Sequence, residues 1–168
     1  MLVVIGGLPA TGKTTLARLL AAQTGAVHVR VDTIEQALVR SGLARHPVGP
    51  AGYVVGYALA EEHLRQGLSV IAESVNPLAV TRDAWRDAAV RAGVRWAEVE
   101  VVCSDPAEHR RRVTSRSVDV PGLPLPDWAE VTGTEYEPWD RERIVVDTAG
   151  ATAEESLAAL VRAITVNS

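Results

Sequence analysis

One stretch near the N-terminus has glycines, a lysine and a hydroxyl group in a spacing that could hold phosphate. It reads Gly7-Leu8-Pro9-Ala10-Thr11-Gly12-Lys13-Thr14 and matches G-x-x-x-x-G-K-[ST] at every fixed position. Glycine lets the main chain approach a phosphate closely, and the N-terminus of a following helix adds partial positive charge. We expect the loop amides to bind a polyphosphate, Lys13 to reach its β- and γ-phosphates, and Thr14 to bind Mg²⁺.

The composition singles out the lysine of this stretch. Lys13 is the only lysine in a chain that has 17 lysines and arginines in total, so positive charge elsewhere is carried by arginine. A compact ammonium group fits a tight phosphate-binding loop better than a planar guanidinium. The predicted nucleotide-binding stretch runs through the next residue, Thr15.

The segments around this loop alternate between strand and helix patterns. Apolar runs predict strands at 2–5, 26–31, 68–72, 94–103 and 143–146. Helical patterns are predicted at 14–24, 33–40, 53–66, 78–92, from 105 onward, and at 152–164. Together with the loop motif, this order predicts an α/β fold, the three-layer α/β/α sandwich of P-loop NTPases with a five-stranded parallel sheet. Residues 1–168 are predicted to form one domain.

One segment interrupts the alternation. Between Ser117 and Pro138, the prolines at 121, 124 and 126 exclude a long helix and leave only a short one at 127–131. Such a long irregular connection is typical of a functional lid or a mobile flap, and we place the lid at about 112–138.

Two carboxylates follow predicted strands at the edge where ligands bind in such folds. Asp32 follows the second strand and is the predicted general base that activates a substrate hydroxyl, with an N-cap of the helix from Thr33 as the alternative. Glu73 ends the third strand and is a candidate Mg²⁺ ligand beside Thr14. Asn76 could position substrate. For both Glu73 and Asn76 the alternative is capping of the turn before Pro77.

Arginines are concentrated before the lid. The run 110–112 is followed by Arg116, and a helix through this region would place Arg112 and Arg116 on one face. Guanidinium groups stabilise the charge that develops during phosphoryl transfer, so we expect both to act there, Arg116 as a catalytic residue. Arg110 and Arg111 are expected to be solvated.

Charge and composition limit the function classes. The formal net charge of −4 argues against a broad nucleic-acid surface, and the single cysteine excludes an internal disulfide. No apolar run has membrane-spanning length and the N-terminus lacks signal-peptide features, so a cytoplasmic protein without membrane contact is expected. A guanine-reading N-K-x-D motif is absent, because Lys13 is the only lysine.

Four segments resemble the small P-loop kinases that include polynucleotide kinases and chloramphenicol phosphotransferase. The segments are 7–14, 31–38, 73–77 and 112–116, and the likeness extends over nearly the whole chain. The resemblance implies that Asp32 is the general base, that Arg116 lies at the lid, and that ATP is the nucleotide. It also implies adenine binding near Arg112 and the loop from Thr148 to Gly150.

The chain also departs from these kinases. Polynucleotide kinases tend to carry a basic residue soon after the general base, where this chain has Glu35, and the segment from Ser41 to Tyr53 differs from the chloramphenicol enzyme. We therefore expect an ATP- and Mg²⁺-dependent kinase acting on a hydroxyl of a metabolite, nucleoside or antibiotic. A polynucleotide or nucleotide kinase and an ATP-dependent switch or toxin-like protein acting through a partner are the alternatives. The acceptor and the oligomeric state stay open.

Overall fold

The computed structural model describes residues 1–117 and 119–166, and its centre is a five-stranded parallel sheet. Residue 118 of the predicted lid and residues 167–168 of the predicted domain lie outside the described residues. The strands are β1 (Leu2–Gly6), β2 (Val27–Arg30), β3 (Val70–Glu73), β4 (Trp96–Val102) and β5 (Ile144–Asp147). Their order across the sheet is β2-β3-β1-β4-β5, and all neighbouring pairs are parallel. This confirms the predicted α/β class and the strand count.

Seven helices connect or follow these strands in the described part of the chain. They are α1 (Lys13–Thr24), α2 (Val31–Arg40), α3 (Ala51–Arg65), α4 (Ala79–Arg91), α5 (Pro106–Ser115), α6 (Trp128–Thr132) and α7 (Ala153–Val166). None of these described helices is long and apolar enough to cross a membrane.

The sheet has an apolar core on each face because the side chains of β1 alternate between the two faces. Val3 and Ile5 join the core formed with α1 and α7, whereas Leu2 and Val4 join the core formed with α3 and α4. Both faces are covered by helices, as parallel sheets require. The three-layer arrangement is therefore the predicted one.

The boundary between β2 and α2 differs from the prediction. The strand ends at Arg30, and Asp32 is the second residue of the helix rather than the residue that ends a strand. In the sequence, Val31 continues the apolar alternation of the strand, which is why the pattern extends the predicted strand by one residue. In the structure, Val31 is buried from the first turn of α2, so its apolar character serves the helix. The N-cap position belongs to Arg30, which excludes the alternative role of Asp32 as the N-cap of this helix.

The prediction that Arg112 and Arg116 lie on one face of a helix is also wrong. Helix α5 ends at Ser115, and Arg116 is its C-cap residue with an extended backbone, φ −67° and ψ 145°. Arg112 and Arg116 therefore do not share a helix face, although both side chains line the same cavity.

The second half of the proline-rich connection is anchored to the body of the protein. Arg82 of α4 is 1% exposed, lies over the Trp139 ring at 4.4 Å and donates to the Glu137 carbonyl at 2.9 Å. Arg141 donates to both carboxylate oxygens of Glu98 at 2.7 and 2.8 Å. The short helix predicted at 127–131 is confirmed one residue later, as α6. The part of the connection that lines the cavity belongs to the first half and consists of residues 117, 119 and 123–126.

The start of the phosphate-binding loop permits no side chain. Gly7 has φ +138°, and a Cβ there would lie 2.2 Å from the Val101 carbonyl oxygen of β4. Gly93 also has positive φ, +67°, but its Cβ would meet nothing within 4 Å. Substitutions at Gly7 and Gly93 can therefore be compared to separate the free-energy cost of a side chain at positive φ from the cost of a steric clash.

We predict that Gly7→Ala lowers the free energy of unfolding by about 3 kcal/mol or more, because strain and clash add. Gly93→Ala, the matched control, should cost about 1 kcal/mol from backbone strain alone. Urea unfolding of both variants checks this, and equal losses would contradict the close packing of the loop on β4.

Candidate active site

A cavity of about 650 Å³ opens at the carboxyl edge of the sheet. Strand ends, the loop after β1, the start of α2 and the lid segment all contribute to its wall. This volume lies within the range of small-molecule and cofactor sites. Its position agrees with the general rule that ligands of open parallel sheets bind at the carboxyl ends of the strands.

The loop between β1 and α1 has the strained backbone of a phosphate-binding turn. Positive φ values occur at Gly7, Ala10 and Gly12, and the last of these is the N-cap residue of α1 without a side-chain cap. The amides at this helix N-terminus therefore have no acceptor supplied by a cap side chain and can bind an anion. Inside the loop, the Thr11 hydroxyl donates to the Leu8 carbonyl at 2.9 Å and so supports the turn.

Lys13 is buried under this loop. Its ammonium donates to the Leu8 carbonyl at 2.8 Å. Burial lowers the pKa of Lys13 to about 8, while the Glu73 and Asp32 carboxylates act in the opposite direction. A phosphate bound in the loop would place further negative charge beside the ammonium and favour its protonated form.

Thr14 and Glu73 meet as the sequence predicted. The Thr14 hydroxyl donates to Glu73 Oε1 at 2.5 Å, and His28 Nε2 lies 2.8 Å from the other carboxylate oxygen. Burial alone would raise the pKa of Glu73, but the hydrogen bonds from His28 and Thr14, with Arg30 nearby, hold it below its usual value. The carboxylate is therefore ionised, and its partners exclude the alternative in which Glu73 caps the following turn.

The donor set of this pair fits Mg²⁺. The ion usually takes one or two protein oxygens and completes its octahedral shell with water and phosphate oxygens. A hydroxyl and an ionised carboxylate beside the phosphate loop meet that requirement. Within the described ranges 1–117 and 119–166, no group of three or more histidines, cysteines or acidic residues could hold a metal on its own.

Asp32 lies in the cavity wall on the first turn of α2. Its carboxylate is 37% exposed and accepts a hydrogen bond from Arg30 Nη2 at 3.1 Å. The Lys13 ammonium is close enough to be influenced by its charge. The structure thus places a solvent-accessible carboxylate next to the phosphate loop.

Asn76, the other candidate of the turn after β3, lies outside the cavity lining. Its side chain is fully buried and makes no hydrogen bond with any described residue, while its backbone N–H donates to the Tyr53 hydroxyl at 3.0 Å. The residue has φ +55°. Its side chain therefore neither caps the turn nor reaches the cavity.

Hydrogen bonds connect the residues near which the resemblance implies adenine binding, Arg112 and the loop from Thr148 to Gly150. Arg112 donates to the Thr148 hydroxyl at 2.7 Å and to its carbonyl at 2.8 Å, and Thr148 in turn donates to the Thr11 carbonyl at 2.8 Å. Gly150 donates its N–H to Glu108 at 3.0 Å and is not part of the cavity lining. These bonds join α5 and the loop after β5 to the phosphate loop.

The predicted binding residues divide into two groups by their position. Some line the cavity directly and others support the loop from behind. The lining group contains Pro9, Ala10, Gly12, Lys13, Thr14, Thr15, Arg112 and Thr148. Gly7, Leu8 and Thr11 form the supporting group, and Gly150 lies outside the lining with its N–H bonded to Glu108.

Arg116 approaches the cavity from the lid side. Its guanidinium donates to the Pro126 carbonyl at 3.3 Å, and its buried Nε makes no hydrogen bond with any described residue. Burial lowers the pKa of Arg116, and Asp32 opposes the shift. The side chain therefore stands between the lid segment and the Asp32 carboxylate with donor capacity unused.

Sequence reasoning missed three charged residues of the same wall. Arg30 was assigned only to a strand, and Asp119 only to an irregular segment. Arg30 donates to Asp119 at 2.6 Å, and Arg18 of α1 donates to the same carboxylate at 2.8 Å. No spacing rule joins positions this far apart along the chain. The only available signal was the position of Arg30 at the end of a predicted strand.

Glu35 is a further carboxyl in the cavity wall, one helical turn after Asp32. It lies against α3, where a Cβ on Gly52 would come within 2.3 Å of Glu35 Cγ. Burial, with a smaller effect of the Asp32 charge, raises the pKa of Glu35 to about 7. Near neutral pH this carboxyl therefore exists in both protonation states.

A family comparison covers most of the chain. The family described as AAA domain matches residues 2–124. This range includes the phosphate loop, Asp32, Glu73 and Arg116. None of the curated proteins matches the chain significantly in sequence.

Solved structures share the fold over nearly full length. A protein from Chloroflexus aurantiacus J-10-fl, provisionally described as a kinase, is 20% identical with a TM-score of 0.74, covering 99% of this chain and 97% of that one. The APS kinase CysC of Mycobacterium tuberculosis in complex with AMPPNP and APS is 16% identical with a TM-score of 0.71, covering 98% and 96%. Kti12 of Chaetomium thermophilum in complex with ADP-AlF3 is 22% identical with a TM-score of 0.69, covering 98% of both chains. At these identities the likeness shows the fold alone.

We predict that Glu35 lowers the free energy of unfolding and that this loss depends on pH. Its pKa in the folded protein, about 7, lies above the ordinary value of 4.5, so the folded state binds the extra proton and loses stability as pH rises from about 4.5 to about 7. Glu35→Gln removes this loss. Relative to the original protein, the variant should gain about 1 kcal/mol between pH 5 and pH 8, allowing for solvent screening of a half-buried group. Urea unfolding at both pH values measures the gain, and a difference independent of pH would contradict it.

Proposed function

The chain belongs to the AAA domain family, and from that premise we propose that it is an ATP- and Mg²⁺-dependent kinase that phosphorylates a hydroxyl group of a small molecule. The observation that carries the proposal is the convergence of four groups on one cavity. These are the Lys13 ammonium, the Thr14–Glu73 pair, the Asp32 carboxylate and the Arg116 guanidinium.

The phosphate loop supplies the nucleotide site in this proposal. The amides at the N-terminus of α1 and Lys13 bind the β- and γ-phosphates of ATP, and Thr14 with Glu73 would hold Mg²⁺. The bound ion would neutralise charge on the phosphate oxygens. The adenine lies near Arg112 and Thr148. Part of the support is that similar folds are known with nucleotide analogues bound, AMPPNP in the APS kinase and ADP-AlF3 in Kti12.

Asp32 acts as the general base on the acceptor. The acceptor oxygen attacks the γ-phosphorus, the bond from that phosphorus to the bridging oxygen of ADP breaks, and the hydroxyl proton passes to the Asp32 carboxylate. The Arg30 guanidinium, 3.1 Å away, orients this carboxylate. Arg116 faces the same space from the lid and would donate to the equatorial oxygens of the transferring group.

The acceptor occupies the end of the cavity away from Arg112. This end contains Asp32 and Glu35 of α2 and the first half of the lid connection. A cavity of about 650 Å³ that also holds ATP leaves space for a small acceptor, which favours a metabolite over a polymer end.

We predict that Asp32→Asn retains nucleotide binding and loses phosphoryl transfer. General-base catalysis contributes about 10²- to 10⁴-fold, so kcat should fall by that factor with the true acceptor. Transfer from ATP under saturating acceptor, with ATP affinity measured separately, checks this. A variant with unchanged kcat would remove Asp32 from the role.

We predict that Lys13→Ala loses most of the stabilisation that ATP and Mg²⁺ give the original protein. A ligand present at 100 times its dissociation constant adds about 2.7 kcal/mol to the free energy of unfolding. The shift in unfolding temperature measures this effect, and Arg110→Gln, an exposed change outside the cavity lining, is the matched control. If ATP and GTP both fail to stabilise the original protein, the proposed nucleotide site is wrong.

One alternative function has an observation of its own. In the structure, Val54, Val55 and Leu59 of α3 are 59%, 36% and 41% exposed. Adjoining apolar side chains on a helix surface can bind a protein partner, as an ATP-dependent switch would require. Capture of a stoichiometric partner only in the presence of ATP, lost in Leu59→Glu, would favour the switch. ATP-dependent phosphorylation of a small acceptor without that partner favours the kinase.

A further inference from the structure

The carboxylate of Asp119, in the lid segment, is paired with two arginines of the cavity wall. Asp119 accepts hydrogen bonds from Arg30 at 2.6 and 3.3 Å and from Arg18 at 2.8 Å. The three side chains come from β2, α1 and the connection after α5, and all of them line the cavity. Proteins commonly bind carboxylate and phosphate ligands with guanidinium groups that converge on one anion.

The arginine between the carboxylates is built into the fold. The Arg30 side chain is only 10% exposed, and besides Asp119 it contacts Asp32 at 3.1 Å and Glu73 at 3.7 Å. Its Nε is buried and makes no hydrogen bond with any described residue. The buried Nε faces Glu73, so Arg30 has a fixed position, and its two Nη groups, which now bind Asp119, are the donors directed at an anion in the cavity.

The Asp119 carboxylate, in contrast, is bound by these two arginines and is otherwise partly open to solvent. Its side chain is 35% exposed, and the next turn contains the exposed residues Pro121 and Gly122. The hydrogen bond from Arg30 holds the pKa of Asp119 below its usual value, so it is ionised at neutral pH. The pair with Arg18, whose side chain is 57% exposed, is a surface ion pair, and such pairs contribute little to stability. Replacing Asp119 by another anion would therefore cost the fold little.

The charges around this end of the cavity are balanced only because Asp119 is present. The positive groups in this part of the lining are Lys13, Arg18, Arg30 and Arg116, and besides Asp119 they meet the carboxylates of Asp32 and Glu73 and the partly protonated Glu35. When the Asp119 carboxylate is removed from this set, positive charge is in excess. An anionic group of a ligand would restore the balance.

We propose that the acceptor of this kinase carries an anionic group, a carboxylate or a phosphate, that binds Arg18 and Arg30 in place of Asp119. The inference rests on the proposed function, since it assigns the substrate class of the same site. Because Arg30 also contacts Asp32, the anionic group and the hydroxyl to be phosphorylated lie on either side of one guanidinium. The acceptor is therefore a short molecule, such as a hydroxy acid or a phosphorylated alcohol, with the two groups a few bonds apart.

Calorimetric titration with three matched probes tests this. The protein is first saturated with AMPPNP and Mg²⁺, so that the phosphate loop is filled, and is then titrated with D-glycerate, sn-glycerol 3-phosphate or glycerol. We expect at least one of the two anions to bind at least tenfold more tightly than neutral glycerol. Comparison of the two anions distinguishes a carboxylate from a phosphate. Equal or tighter binding of glycerol overturns the proposal.

Two variants separate ligand binding from structural support. Arg18→Gln should weaken anion binding at least tenfold, and because the Arg18 side chain is 57% exposed the change leaves the fold intact. Asp119→Asn should strengthen anion binding at least threefold, since the competing charge is gone. Arg110→Gln is the control and should change neither. Unchanged affinity in Arg18→Gln, or weaker binding in Asp119→Asn, would show that the ion pairs are structural only.

Failure of the proposed anion site and failure of the proposed kinase function give different experimental results. Absence of AMPPNP binding, or of transfer from ATP to any hydroxyl, would contradict the proposed function. In that case the same titrations of the nucleotide-free protein with D-glycerate still measure whether anion binding depends on Arg18. Anion binding that depends on Arg18 supports the arginine site, and its absence overturns it.

Discussion

Close packing of the phosphate loop against the neighbouring strand is the constraint on which the site depends. β1 lies in the middle of the sheet between β3 and β4, and the chain leaves it at Gly7 with no room for a side chain beside the Val101 carbonyl. That close approach turns the loop over the sheet edge and starts α1 at Lys13. Thr14 on the first turn then lies beside Glu73 at the end of β3, and Thr148 after β5 reaches the loop from the other side.

Burial of charge at this edge explains the network around the loop. An ammonium and several guanidinium groups removed from water need compensating carboxylates, or their charged forms become unfavourable. Lys13 has Glu73 and Asp32 nearby, and Arg30 has Asp32, Glu73 and Asp119. The same pairing that lets these charges be buried also orients the Asp32 carboxylate. Structural and functional roles of these residues are therefore not independent, and a change at Arg30 would affect both.

The lid connection combines an anchored half with a half that faces the cavity. Residues 136–141 are held to α4 and β4 by Arg82 stacked on Trp139 and by the Arg141–Glu98 pair. The first half contacts the body through side-chain bonds such as Arg116 to Pro126 and Arg30 to Asp119. If the acceptor binds these arginines as proposed, it would change how this half is held, and acceptor binding would be coupled to the position of the lid segment through the same guanidinium groups.

The amino-acid sequence by itself determined the phosphate loop, the alternation of strands and helices and the order of the layers. Those features depend on local spacing: the glycines at 7 and 12, the lysine at 13, and apolar runs of strand length. It also placed Glu73 at a strand end beside Thr14, since the ends of parallel strands meet at one edge. It failed at the β2–α2 boundary, because Val31 fits both the strand alternation and the first turn of a helix.

Only the tertiary structure decided which distant charges meet. Arg18, Arg30 and Asp119 are 12 and 89 positions apart along the chain, so no spacing rule relates them, and they converge because α1, β2 and the lid connection surround one cavity. The altered pKa of Glu35 is likewise a product of burial against Gly52, which is remote from it in sequence. Contact and burial depend on packing between elements, whereas sequence patterns report only what lies within a few residues.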